Sequence, residues 1–151
     1  MPLNIKDLKI ESTDFEPLGR MKDVQAADKG NVAPHLKMMG VPKEAVELAV
    51  ICHDPDAPLP RGFTHWTIYG IPPQTTELTG AESKFRVGPN SLGKDAYFGP
   101  QPPVGHGLHH YYFWVYALIT MVEGSPTREQ FLDRYAGNII EQNRVVGVYS
   151  N

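Results

Sequence analysis

A mostly β fold, an antiparallel sandwich carrying a few short peripheral helices, is predicted by three observations on the sequence. Fourteen prolines and fourteen glycines among 151 residues cut the chain into segments too short for a helical bundle. Several of those segments are rich in aromatic and β-branched residues, which favour strands. Strand-like segments come first and helix-like ones late, without the βαβ alternation of a parallel sheet.

The elements follow in chain order. Met1 to Ile10 alternates apolar residues with Asn, Lys and Asp and lacks the continuous apolar run of a signal peptide. No stretch approaches the length of a membrane span, so a cytoplasmic protein is expected. Glu47 to Cys52 is short and apolar, as a buried strand would be. Phe63 to Ile71 is a second strand, closed by Pro72-Pro73. Leu108 to Thr120 is the longest, with six consecutive apolar residues from Tyr111 to Tyr116; being apolar on both faces, it is expected at the centre of a covered sheet. Ser125-Pro126 offers an N-cap followed by proline at the first helical position, and Thr127 with Gln130 offers a competing capping box. Phe131, Tyr135 and Ile139 then recur at helical spacing. Gly137 divides this stretch into two short helices ahead of a last strand, Val145 to Tyr149.

Composition bounds the function. The length suits a single domain over residues 1–151. Fourteen basic against seventeen acidic residues give a formal charge of -3, without the basic excess that nucleic-acid binding generally requires. The one cysteine, Cys52, lies in an apolar run, where a thiol is more often buried and inert than reactive.

Three segments carry chemistry. His53-Asp54-Pro55-Asp56-Ala57-Pro58 follows a strand directly; it is read either as an Asx-type turn or as a pair of carboxylates offered at the strand's exit. In the second, strict alternation puts Phe63, His65, Thr67 and Tyr69 on one face of their strand and Thr64, Trp66 and Ile68 on the other. The third is the Gly/Pro loop from Gly99 to Gly107, which runs into a strand with His109, Tyr111 and Phe113 on one face and His110, Tyr112 and Trp114 on the other. Imidazolium, phenol and backbone amide are all hydrogen-bond donors, so this set suits an anionic oxygen without lysine or arginine.

Together these segments resemble the phosphatidylethanolamine-binding protein family, which includes the Raf kinase inhibitor protein and small bacterial and archaeal relatives. The resemblance rests on Ala33-Pro34-His35-Leu36 with Gly40-Val41-Pro42, on Asp54-Pro55-Asp56-Ala57-Pro58, on His65, and on Gly99 to Tyr111. It implies a Greek-key sandwich with a pocket for a phosphate-bearing ligand, lined by Asp54, Asp56, His65, His109 and Tyr111, with backbone of Gly99 and Gln101 at the rim. It also implies a possible homodimer and a protein partner such as a kinase or protease. Three positions depart from the family pattern. Met38 replaces tryptophan, His110 replaces the arginine between the pocket's histidine and tyrosine, and Gln101 replaces a small residue or cysteine.

Non-enzymatic binding of a phospholipid head group, phosphorylated metabolite or phospho-residue is therefore the expected function, with no cofactor and no metal. His65, His109 and Tyr111 would hold phosphate oxygens, while Asp54 or Asp56 would attract an ammonium or fix an imidazole tautomer. Two rivals draw on the same residues. A metal-dependent hydrolase would take ligands from His65, His106, His109, His110 and Asp54, but the chain has no HExxH spacing. A surface inhibitor of a kinase or protease would leave the pocket as a control site. A serine hydrolase is disfavoured by the absence of a Gly-x-Ser-x-Gly elbow.

Overall fold

The β-rich segments pair into two antiparallel sheets. The computed structural model describes residues 4–80 and 85–151. Its strands are β1 (Lys9–Ser12), β2 (Leu36–Met39), β3 (Glu47–Asp54), β4 (Phe63–Ile71), β5 (Glu77–Leu78), β6 (Arg86–Gly88), β7 (His109–Leu118) and β8 (Ile139–Tyr149). The helix α1 (Arg128–Tyr135) lies between β7 and β8, and 3-10 turns occupy Asp23–Gln25 and Ala136–Asn138. The large sheet runs β6-β4-β3-β7-β8 and the small one β1-β2-β5. The strand expected at the centre, β7, is internal, but β3 takes the middle place. All eight residues of β3 are buried.

Two apolar layers explain why β3 and β7 are apolar on both faces. On the inner face, Leu48, Val50, Cys52, Ile68, Phe113 and Val115 meet Leu8, Ile10, Leu36 and Met38 of the N-terminal part. Met38 is thus a core residue, 2% exposed. On the outer face, Ile51, Tyr69, Tyr116 and Leu118 are covered by Phe131 from α1. Completely burying a side chain of this size contributes about 1.5–3 kcal/mol.

Of the two competing caps, Thr127 is the one used: its hydroxyl accepts from the Gln130 N–H, and the Gln130 side chain accepts from the Thr127 N–H. The chain turns into β8 at Ile139, so this residue is not helical and the last strand begins six residues before Val145. Polar residues had disguised that start. Glu141 is 6% exposed because its carboxylate accepts from the N–H groups of Asp7 and Leu8.

Those two bonds belong to an N-terminal strap along the free edge of β8. Leu18 and Met21 donate to the carbonyls of Val146 and Val148, Val148 donates to Gly19, and Gln142 donates to Asn4. An open strand edge invites pairing with another chain; here the protein's own residues 4–21 cover it.

A further detail positions the site. Cys52 pairs with Trp66 and His53 with Thr64, which leaves His65 without a partner on β3. This β-bulge, one extra residue on β4, breaks the alternation expected for the strand. Trp66 and Ile68 face the inner core, Tyr69 faces outward under α1, and His65 turns to the inner side with Phe63.

Candidate functional site

Because the pairing is antiparallel, the exit of β3 and the entrances of β4 and β7 meet at one end of the large sheet. There a cavity of about 250 Å³ is lined by Asp54 from β3, Phe63 and His65 from β4, and His109 and Tyr111 from β7. Ala57, Pro58 and Leu59 form one wall, and Phe98, Gln101, Pro102 and Pro103 the other. The volume lies just below the roughly 300–1,000 Å³ of sites for drug-sized ligands, which suits a small ligand.

At the base, Asp54 and His109 form a buried pair, with Oδ2 and Nδ1 2.7 Å apart and side chains 3% and 4% exposed. The other carboxylate oxygen of Asp54 accepts from the Asp56 N–H at 2.7 Å. The Asx turn and the pocket carboxylate are therefore the same residue. Burial pushes the Asp54 pKa up, against the hydrogen bonds from His109 and Asp56. Tyr111 has no hydrogen-bond partner for its hydroxyl among the described residues, and burial together with nearby Asp54 pushes its pKa well up. Its O–H therefore remains a donor throughout the neutral range.

His65 departs from its expected role as an imidazolium donor. Its Nδ1 bonds the Phe98 carbonyl, and the ring packs on Phe63 and edge-on to Tyr111, with centroids 4.6 and 5.1 Å away. Burial lowers its pKa to about 4, despite the carbonyls of Phe98 and Gly99, with His53 and His109 also lowering it. At neutral pH the ring is uncharged; Nδ1–H donates to Phe98, and Nε2 is left as an acceptor.

Two expected site residues lie outside the cavity lining. Asp56 turns to the far face of β7, where its Oδ2 accepts from the His110 N–H at 2.8 Å and meets His110 Nδ1 at 2.7 Å. That pair is about 40% exposed on both sides. With only one residue between Asp56 and Asp54, the turn sends the two carboxylates to opposite faces. The Gly99 N–H is committed to Asn31 Oδ1 at 2.7 Å, so it is unavailable to a ligand. A side chain at Gly99 would collide with the Gln25 carbonyl. Glycine is needed there for close approach of two backbones.

Sequence reasoning did not place His106 or the apolar walls. His106 Nδ1 lies 2.6 Å from His109 Nε2, which extends the chain Asp54–His109–His106 out to solvent. The Gly-His-Gly spelling was the available signal, but a glycine loop does not reveal its direction. Elsewhere, Cys52 is buried with its pKa pushed up by desolvation. No helix among the described residues is long and apolar enough to cross a membrane. No group of three or more His, Cys, Asp or Glu side chains among them is arranged to hold a metal ion.

Comparison with known proteins agrees with this architecture. A family model described as phosphatidylethanolamine-binding protein matches residues 11–150. The chain is 36% identical over 151 residues to a UPF0098 protein of Methanothermobacter thermautotrophicus, covering 94% of this chain and 98% of the relative. A crystal structure of a phosphatidylethanolamine-binding protein homologue from Chlamydia trachomatis superposes with a TM-score of 0.89 and 29% identity, covering 95% of this chain and 97% of that one. Escherichia coli YbcL, described as a new member of the mammalian family, gives a TM-score of 0.87 and 27% identity over 97% and 99% of the two chains.

Proposed function

The chain belongs to the phosphatidylethanolamine-binding protein family, and on that footing we propose that its pocket binds the phosphate of a small ligand without turning it over. The observation that carries this reading is the buried Asp54–His109 pair beside the free Tyr111 hydroxyl. Asp54 engages His109 Nδ1, which leaves Nε2 as the ring nitrogen for a ligand oxygen, and a hydrogen bond to an anionic oxygen is stronger than one between neutral groups. Tyr111 adds a second donor. The walls of Pro58, Leu59, Phe63, Phe98 and Pro103 favour an apolar group next to the phosphate. Leu59 is 52% exposed, so this apolar wall reaches the solvent. An ethanolamine ammonium finds no uncommitted carboxylate, since both oxygens of Asp54 are engaged and Asp56 faces away.

The same geometry argues against hydrolysis. Attack at phosphorus needs a group aligned opposite the leaving oxygen, and Asp54, with both oxygens already in hydrogen bonds, is poorly placed to supply it. Ground-state binding alone gives no rate acceleration. In calorimetry with inorganic phosphate, wild type should bind, while His109→Ala loses on the order of 1.5–3 kcal/mol and His110→Ala loses almost nothing. Phosphomonoesters incubated with wild type, with and without added zinc, manganese or magnesium, should release no phosphate above a boiled-protein blank. Equal stabilisation by phosphate and by chloride at matched ionic strength would remove the site. Turnover abolished by His109→Ala would make the protein an enzyme.

A further inference from the structure

We propose that His106 is a gate for this pocket, holding His109 Nε2 when no ligand is bound and giving it up only to a strongly accepting oxygen. The proposal rests on the phosphate-binding reading above. A ring nitrogen makes one in-plane hydrogen bond. Nδ1 of His109 is spent on Asp54 and Nε2 on His106, at 2.7 and 2.6 Å. A phosphate oxygen and His106 are therefore alternatives at the same nitrogen. The empty pocket does not present its principal donor.

The segment carrying His106 is built to let go. Gly105 and Gly107 flank it with φ of 77° and 86°, in the left-handed region that glycine adopts readily. A side chain at either glycine would meet nothing within 4 Å. His106 is itself exposed. Its N–H donates to the Pro103 carbonyl at 3.1 Å, and Gly105 donates to Asn151 at 3.3 Å, so few contacts tie the turn to the sheet. The imidazole can leave His109 by rotating about its own side-chain bonds or with the loop.

Such a gate sets a threshold for binding. An anionic oxygen makes a charge-assisted hydrogen bond, roughly twice as strong as a neutral one, and so displaces the imidazole at a net gain. A neutral phosphoryl oxygen only exchanges one hydrogen bond for another. His106 lowers the affinity of both kinds of ligand by one common factor, a cost that an anionic oxygen outweighs and a neutral one does not.

The test compares wild type with His106→Ala and His106→Gln, using inorganic phosphate and trimethyl phosphate as probes. Removing the imidazole should tighten phosphate binding about two- to tenfold, the range of one net hydrogen bond, and should raise its association rate. Trimethyl phosphate should gain by the same factor from a weaker starting affinity, because the imidazole competes equally with both probes. His106→Gln, whose amide can still bond His109, should lie between. Melting temperature without ligand should stay unchanged, since the residue is exposed. Phosphate binding that is equal or weaker in His106→Ala overturns the gate while leaving the binding function intact. Binding to the variant alone supports a gate that is fully closed. Binding to neither protein removes both the gate and the function it controls.

Discussion

Acid should weaken this fold through His65, by an amount that the structure sets. Its folded pKa of about 4 lies below the 6.5 of a free imidazole, because the buried ring is held uncharged. Between those values the unfolded chain binds a proton that the folded chain refuses. The stabilisation is therefore complete above pH 6.5 and is lost progressively as the pH falls toward 4. Going from pH 7 to pH 5, linkage gives a loss of about 2 kcal/mol for a group shifted this far. His53, 6% exposed and likewise lowered to about 4 by burial and by Arg128, should contribute a similar amount. The assay is urea unfolding followed by tryptophan fluorescence at pH 7, 6 and 5, in phosphate-free buffer. His65→Asn keeps a donor near Nδ1 for the Phe98 carbonyl but cannot titrate. Its absolute stability will differ from wild type, so the comparison is of pH dependence. The variant should lose about 2 kcal/mol less than wild type between pH 7 and 5. An unchanged pH dependence in the variant would refute the assignment, as would a wild type that gains stability toward pH 5.

Two further outcomes follow from residues in and beside the site. Asp54→Asn should weaken phosphate binding at least tenfold, because the His109 tautomer loses its partner, whereas Asp56→Asn should change it less than twofold; calorimetry on both variants checks the contrast, a charged hydrogen bond being worth about 1.5–3 kcal/mol. Gly99→Ala forces apart two backbones that now touch, so thermal unfolding should show a destabilisation of about 1–3 kcal/mol, with poorer phosphate binding as the neighbouring Phe98 carbonyl shifts away from His65.

The strands that form the pocket were legible because each carries a run of apolar and aromatic residues, and β3 and β4 stop at Pro55 and Pro72. The small sheet was not, since β1, β2 and β5 have four, four and two residues, too few to establish a period of two. Asp54 and Asp56 look equivalent in sequence. Only the tertiary pairing with His109 and His110 separates a buried carboxylate from an exposed one. The faces of β7 could be read by alternation, whereas those of β4 could not, because a bulge leaves no mark in residue types. Tyr135 and Ile139 sit four apart and so mimic a helix face, yet Ile139 pairs with Leu118. Glu141 fell in a stretch read as short helices ahead of Val145, yet it lies in the strand and is buried as an acceptor for the N–H groups of Asp7 and Leu8.

The strap on β8 has a consequence for how the chain is made. Asn4 bonds the Ile139 carbonyl and Leu8 bonds Glu141, with sequence separations of 135 and 133 residues. Contacts of such separation are formed late, because their loop-closure entropy is not recovered until the intervening chain is ordered. Residues 4–21 therefore leave the ribosome long before β8 exists, and β7 likewise waits with one edge open. The large sheet acquires its outer strand and that strand its cover at nearly the same moment, when residues 139–149 emerge. Until then an aromatic edge from Tyr111 to Tyr116 is available to other nascent chains. Aggregation during synthesis, rather than instability of the finished fold, is the vulnerability this topology creates.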